Sequence, residues 1–147
     1  MKIWIDGDGC PVVKETVALA QVYRIPCTIL CDTSHMFRSD FADVMVCDKG
    51  ADSVDFAIAN RVLPGDLVIT QDYGLASMCL ARSARVVHQD GWEYTPDNMD
   101  ALLFSRHASR KYRAAGGRTK GPSRRTAAQD MAFEACLKGL LQNKSQG

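Results

Sequence analysis

The sequence predicts a single α/β domain in which helices cover both faces of a central, mainly parallel β-sheet. Short apolar runs rich in Ile and Val alternate along the chain with segments of helical periodicity, the pattern that parallel sheets produce. The chain has 147 residues, which is the size of one ordinary domain. Its composition, 46% hydrophobic and 24% charged, excludes a fibrous or wholly disordered chain.

Five apolar runs are predicted to be the strands of this sheet. Each is short and rich in β-branched residues, so each is expected to be buried on both faces. The polar and aromatic segment 32–43 has no clear period and is predicted to form a long loop. The predicted strands are residues 2–5, 27–31, 44–46, 66–70 and 85–88.

Helices are predicted between the strands and after the last one. Pro11 is expected at the first helical position of the first helix, and Asp52 or Ser53 at the N-cap of the second. Thr95 followed by Pro96 is typical of the start of a further helix. The predicted helices are residues 11–22, 53–62, 73–82, about 96–114 and about 124–142.

The C-terminal part of the chain is predicted to contain a linker and a docking helix within the same domain, which spans residues 1–147. Residues 115–123 are basic and rich in Gly, so they are expected to be mobile. The last predicted helix has one apolar face that would pack on the sheet. That face consists of Phe133, Leu137, Leu140 and Leu141.

The net charge of +1 conceals a strong segregation of charge along the chain. Residues 1–100 carry eight Lys or Arg against fifteen Asp or Glu, whereas residues 101–129 carry eight Lys or Arg and no acid. So many cations without anions are unusual for a solvated helix face and favour contact with a polyanion. The candidate phosphate-binding residues are Arg106, Arg110, Arg113, Arg118, Lys120, Arg124 and Arg125.

The six cysteines show neither a CxxC pair nor the spacing of a zinc site. Cys10 precedes a predicted helix but has no His near it in sequence, so we interpret it as a packed small residue and not as a nucleophile. No apolar stretch has the length of a signal peptide or a membrane span. The reduced cytoplasm is therefore the expected compartment, and no membrane partner is expected.

Carboxylates occur where several of the predicted strands end. Asp6 and Asp8 follow the first strand, Asp72 follows the fourth, and Asp52 and Asp55 stand at a helix start. Because ligands bind outside the carboxyl ends of parallel strands, these acids are expected to converge. Clustered carboxylates repel one another unless a cation neutralises them, which indicates a site for Mg²⁺ or Mn²⁺.

Two of these acids have a purely structural alternative. Asp8 between glycines could shape a turn, and Asp52 could cap a helix. Thr70 and Gln71, which precede Asp72, are further candidates for contact with a phosphate, although Thr is also common in strands.

Three motifs, in this order, closely resemble the YaiI/YqxD family of bacterial proteins over nearly the whole chain, to about residue 142. They are Trp4-Ile5-Asp6-Gly7-Asp8-Gly9-Cys10-Pro11, then Gly50-Ala51-Asp52-Ser53-Val54-Asp55, then Ile69-Thr70-Gln71-Asp72-Tyr73-Gly74-Leu75-Ala76. That family is similar to the PIN-like superfamily of metal-dependent nucleases.

The resemblance implies a PIN-like three-layer sandwich with a central parallel sheet of about five short strands. It also implies a first acid at Asp6 with Asp8 nearby, a middle acid at Asp52 or Asp55, and a third at Asp72. Gln71 stands where a typical PIN sequence has a second Asp, which leaves open whether one or two metal ions bind.

Taken together, these features predict a nuclease that depends on Mg²⁺ or Mn²⁺ and acts on RNA in preference to DNA. Its catalytic residues would be Asp6, Asp55 and Asp72, and its partner would be single-stranded or structured RNA. The metal ligands would be Asp6, Asp8, Asp52, Asp55 and Asp72.

Two other functions fit parts of the pattern. Gln71 and the existence of inactive PIN-like members favour a non-catalytic nucleic-acid-binding or regulatory module with a vestigial metal site. A phosphatase of the haloacid-dehalogenase type would use Asp6 after the first strand, but it needs a later Lys and an acidic pair. Lys49 is present, whereas Asp72 has no acidic neighbour in sequence.

Overall fold

A computed structural model of the chain describes residues 1–33, 37–48, 53–117 and 124–145. Within these residues, one sheet contains the strands β1 (Ile3–Asp6), β2 (Cys27–Asp32), β3 (Asp43–Cys47), β4 (Leu67–Ile69), β5 (Arg85–His88) and β6 (Trp92–Tyr94). The helices are α1 (Val13–Val22), α2 (Val54–Arg61), α3 (Tyr73–Ala81), α4 (Pro96–Ala114) and α5 (Ala127–Ser145).

The strands lie in the order β3-β2-β1-β4-β5-β6, and all neighbouring pairs are parallel except β5 with β6. The chain builds one half of the sheet outward from β1 and then returns to build the other half outward from β4. Open α/β sheets bind ligands at such a reversal, outside the carboxyl ends of the two central strands. In this chain those ends are Asp6 and the residues that follow Ile69.

Apolar side chains from alternate strand positions form a core on each face of the sheet. On one face, Ile5 and Ile69 belong to the same buried cluster as Val13 of α1 and Phe133 of α5. The opposite face carries a second buried cluster, which contains Trp4, Leu30, Val54, Ile58, Val68, Leu75, Val86 and Met99. The molecule is therefore a three-layer sandwich, and the predicted α/β class with a mainly parallel sheet is confirmed.

Three details differ from the sequence-based expectation. The sheet has six strands in the described part of the chain instead of about five, because residues after the Asp90-Gly91 turn pair antiparallel with β5. The third strand is not buried on both faces, because it lies at the sheet edge, where Val46 is 45% exposed. Helix α1 begins at Val13, so Pro11 is not its first residue.

The predicted cap of α4 and the apolar face of α5 are both present. The Thr95 hydroxyl accepts a hydrogen bond from the Asn98 amide, and Pro96 occupies the first turn. Phe133, Leu137 and Leu141 are fully buried and belong to the core cluster on one face of the sheet. Of the predicted linker, residues 118–123 lie outside the described residues.

The turn between β5 and β6 anchors the start of α5. Arg125, just before the helix, donates through Nε to Asp130 (2.6 Å), through Nη1 to Asp90 (2.9 Å) and through Nη2 to the carbonyl of Gln89 (2.7 Å). Gly91 in the turn has φ +89°, and a β-carbon there would lie 2.4 Å from the carbonyl carbon of Ala132. The backbones of the turn and the helix therefore touch at a glycine.

Candidate functional site

Four carboxylates from three segments of the chain line one cavity of about 250 Å³, which we call the acidic cavity. Asp6 is the last residue of β1, Asp8 follows it in the next loop, Asp55 lies in the first turn of α2, and Asp72 precedes α3. Ser53, Val54 and Gln71 complete the lining. The structure thus places these acids at the β1–β4 reversal, where the strand order leaves a crevice.

Asp6 is the carboxylate most affected by this environment. Burial raises its pKa from 3.8 to about 6, a hydrogen bond from Thr70 opposes that rise, and the charges of Asp8, Asp72 and Asp55 increase it further. A cation in the cavity would remove both causes that raise the pKa, since it compensates the lost hydration and cancels the repulsion. The site therefore favours positive charge.

Thr70 connects two of the acids. Its hydroxyl donates to Oδ2 of Asp6 at 2.8 Å and accepts from the backbone N–H of Asp72 at 2.9 Å. The side chain is 2% exposed, and its only hydroxyl hydrogen points to Asp6. We therefore correct the sequence-based assignment of Thr70 as a substrate ligand, because its geometry is that of a positioning residue.

The other acids are held by donors from nearby segments. Oδ1 of Asp72 accepts from the amides of Gly74 (2.8 Å) and Leu75 (3.3 Å) at the start of α3. Oδ1 of Asp55 accepts from the hydroxyl of Ser53 (2.8 Å) and from the amide of Phe56 (3.0 Å). In both residues these bonds occupy Oδ1 alone, so among the described residues Oδ2 has no donor.

Asp8 is fixed by the neighbouring strand, because its Oδ1 accepts from the backbone N–H of Asp32 at the end of β2 (3.1 Å). Gln71 is exposed and lines the cavity, where its amide can donate to a phosphate oxygen. Asp52, the alternative middle acid, and Lys49, which the phosphatase hypothesis needs, lie outside the described residues.

The donor set of the acidic cavity has the chemistry that Mg²⁺ and Mn²⁺ prefer, since it consists of carboxylate oxygens. In the described ranges no three His, Cys, Asp or Glu side chains are grouped closely enough to hold an ion together. Mg²⁺ commonly binds through one or two carboxylates and keeps several waters. A cavity of about 250 Å³ holds several water volumes, so the residues fit a partly hydrated ion.

The cationic residues divide into three groups. Arg110 and Arg113 line a second pocket, of about 310 Å³, between the start of α3 and residues 102–113 of α4. Arg124 is exposed just before α5. Arg106 lies on α4 but its side chain is not among those described, and Arg118 and Lys120 lie outside the described residues.

Arg125 does not belong with these cations. All three of its guanidinium nitrogens bind acceptors within the fold, as described for the β5–β6 turn. Its assignment as a phosphate ligand is therefore corrected, because Asp90 and Asp130 already neutralise its charge.

Sequence reasoning missed four residues of the second pocket, Tyr73, Leu102, Ser105 and Ser109. Ser105, Ser109 and Arg113 recur every four residues and so share a helix face, and this spacing was the sequence signal that could have identified the pocket.

Cys10 fits the expectation of a packed thiol, because burial raises its pKa to about 11. In the portion of the chain that is described, no helix is long and apolar enough to span a membrane.

The chain has relatives of nearly the same length. A UPF0178 protein from Exiguobacterium sibiricum is 48% identical over 145 residues, which cover 99% of each chain. Another, from Clostridium acetobutylicum, is 45% identical over 143 residues, or 96% of this chain and 97% of that protein. A crystal structure of a Rae1 (YacP) mutant from Bacillus subtilis aligns with a TM-score of 0.46 and 12% identity over 98% of this chain and 99% of that one. Nothing about function follows from a structural likeness at that level.

A family model identifies the protein family of the chain. Residues 4–143 match the model described as "Uncharacterized BCR, YaiI/YqxD family". Together with the close relatives, this match shows that the chain belongs to the YaiI/YqxD family.

Proposed function

We propose that this protein is a nuclease that requires Mg²⁺ or Mn²⁺ and hydrolyses phosphodiester bonds in RNA. One observation carries the proposal: Asp6, Asp8, Asp55 and Asp72, which are up to 66 positions apart in sequence, line one cavity at the reversal of the strand order. Folding alone rarely gathers several carboxylates around a partly buried one, because each raises the cost of ionising the next.

One or two of Asp6, Asp55 and Asp72 would hold the ion directly and the others would contact it through its bound waters, with Asp8 and Asp52 as further candidates. When bound, such an ion neutralises phosphate charge and lowers the pKa of a coordinated water. Asp6 keeps one oxygen, Oδ1, that Thr70 does not occupy, so this oxygen is available to a cation or to a water bound to it. Gln71 would orient the phosphate.

The test is cleavage of end-labelled RNA and DNA oligonucleotides by the purified protein with Mg²⁺, Mn²⁺ or EDTA. We expect metal-dependent products from RNA, and a loss of at least about 100-fold in rate for Asp6→Asn and Asp72→Asn, the size typical of a positioned acid–base or electrostatic group. Asp43→Asn is the matched control, because Asp43 is an exposed acid at the opposite end of a strand in the same sheet.

Two outcomes would contradict the nuclease proposal. One is the absence of metal-dependent cleavage of every oligonucleotide tested. The other is cleavage that Asp6→Asn reduces no more than Asp43→Asn does, since contamination by another nuclease would give that result.

The second candidate function is a non-catalytic module that binds nucleic acid beside a vestigial metal site. Gln71 in place of an acid and the lack, across the described ranges, of three acids grouped around one point both favour it. Titration calorimetry with Mn²⁺ separates the two functions. Binding of Mn²⁺ that Asp6→Asn abolishes, together with turnover, would exclude the non-catalytic module. RNA binding with neither Mn²⁺ binding nor turnover would support the module.

A further inference from the structure

The pocket between α3 and α4, which we call the basic groove, is lined by the residue that directly follows an acid of the acidic cavity. Asp72 lines the cavity, and the next residue, Tyr73, lines the groove. The two pockets therefore lie close together at the start of α3. A polymer with one phosphodiester in the cavity would place an adjacent nucleotide in the groove.

The groove presents groups suited to a sugar-phosphate backbone. Arg110 and Arg113 contribute guanidinium groups one helical turn apart, and Ser105 and Ser109 contribute hydroxyls that donate and accept hydrogen bonds. Leu102 supplies apolar surface at one side. Within the described residues Arg110 makes no ion pair, and residues 101–129 contain no acid that could neutralise it.

Tyr73 adds an aromatic ring to this cationic lining. The ring is half-buried and is held edge-on against the buried ring of Tyr94, with 5.9 Å between centroids and 89° between planes. A ring fixed in this way loses little conformational freedom when a base stacks on its exposed part. Aromatic stacking next to cations is the recognition mode of single-stranded nucleic acids, because bases in a duplex already stack on each other.

The size of the groove agrees with this mode. Its volume of about 310 Å³ is at the lower end of pockets that take a small organic group. That space suits a single nucleotide.

We infer that the basic groove binds the nucleotide next to the one in the acidic cavity, and that it selects single-stranded RNA. Arg110 and Arg113 bind its phosphate, and Tyr73 stacks on its base. This inference rests on the proposed function for the identity of the strand, but it concerns binding and needs no cleavage.

The test is fluorescence anisotropy with a fluorescein-labelled oligouridylate in EDTA, where no metal-dependent step can occur. We expect Arg110→Ala to weaken binding about fivefold and to reduce the slope of log Kd against log salt by about 1. Tyr73→Leu should weaken binding by at least about fivefold, whereas Tyr73→Phe, which keeps the ring, should bind normally. Arg82→Ala is the matched control, because Arg82 is an exposed arginine at the other end of α3.

Equal affinities of Arg110→Ala and Arg82→Ala would overturn the groove as a binding site. A duplex of the same length that competes as well as the single strand would overturn the selection for single strands. The two proposals fail separately: normal oligouridylate binding without metal-dependent cleavage would reject the nuclease and keep the groove. Cleavage that is unaffected by Arg110→Ala and Tyr73→Leu would reject the groove as a binding site and keep the nuclease.

Discussion

The hydroxyl of Thr70 donates a hydrogen bond of 2.8 Å to the carboxylate of Asp6, across 64 positions of sequence. The pairing of β1 with β4 explains this contact. Ile5 stands opposite Ile69, so the residues that follow them become neighbours at the carboxyl ends of the two strands. The same hydroxyl accepts from the amide of Asp72, so one side chain fixes two acids of the cavity.

Thr70→Val should both destabilise the protein and raise the pKa of Asp6 above about 6, since the Thr70 hydrogen bond lowers that pKa. The free energy of unfolding should fall by about 1 to 3 kcal/mol, because a buried carboxylate and a backbone amide lose their partner. Urea denaturation measures the stability, and carboxyl NMR titration measures the pKa. Thr70→Ser keeps the hydroxyl and is the control; a Thr70→Val variant that is no less stable than Thr70→Ser would contradict the role of the hydroxyl.

Asp6→Asn should make the metal-free protein more stable at neutral pH. The native pKa of about 6 exceeds the ordinary 3.8, so the native state binds more protons than the unfolded chain between these values. The free energy of unfolding therefore falls as pH rises through this window, and the loss is complete above it. Asn carries no charge, so the variant should gain about 1 to 3 kcal/mol at neutral pH.

Thermal unfolding in EDTA at neutral pH and near pH 3.8 measures this difference, with Asp43→Asn as the control. The gain should vanish near pH 3.8, where Asp6 is protonated in the native protein. A variant that is less stable at both pH values would show that Asp6 stabilises the fold as an ion, contrary to the burial that raises its pKa.

Arg125→Ala should destabilise the protein by about 1 to 3 kcal/mol, because two partly buried carboxylates and the Gln89 carbonyl lose their charged donor. Arg124→Ala, at the exposed neighbouring position, should change the stability by less than about 0.5 kcal/mol. Chemical denaturation measures both. Equal midpoints for the two variants would contradict the structural role of Arg125.

Gly91→Ala should destabilise the protein by more than about 3 kcal/mol. The new β-carbon would meet the backbone of Ala132 at 2.4 Å, in addition to the strain of a positive φ. Gly65→Ala isolates the strain, because Gly65 has φ +87° with nothing within 4 Å of the added carbon, and should cost about 1 kcal/mol. Thermal unfolding of the two variants should differ clearly; similar midpoints would mean that the turn and α5 separate easily.

The local elements were largely predictable from the sequence. Apolar runs and helical periodicity predicted the first five strands and all five helices within a few residues, because strand and helix periods are properties of neighbouring residues. The β6 strand was missed because Trp92–Tyr94 is three residues long and pairs only through its contact with β5. The acids of the cavity were selected because they follow strands, and that is also a local signal.

The sequence by itself determined which carboxylates stand at strand ends and that the cations are concentrated after residue 100. Only the tertiary structure decided which of these groups meet. The order β3-β2-β1-β4-β5-β6 places Asp6 beside Thr70, and the packing of α3 against α4 brings Tyr73 and Arg110 to one pocket. The same folding neutralised Arg125 with Asp90, 35 positions away. A charge is free or paired according to its neighbours in space, and residue spacing along the chain carries little information about those neighbours.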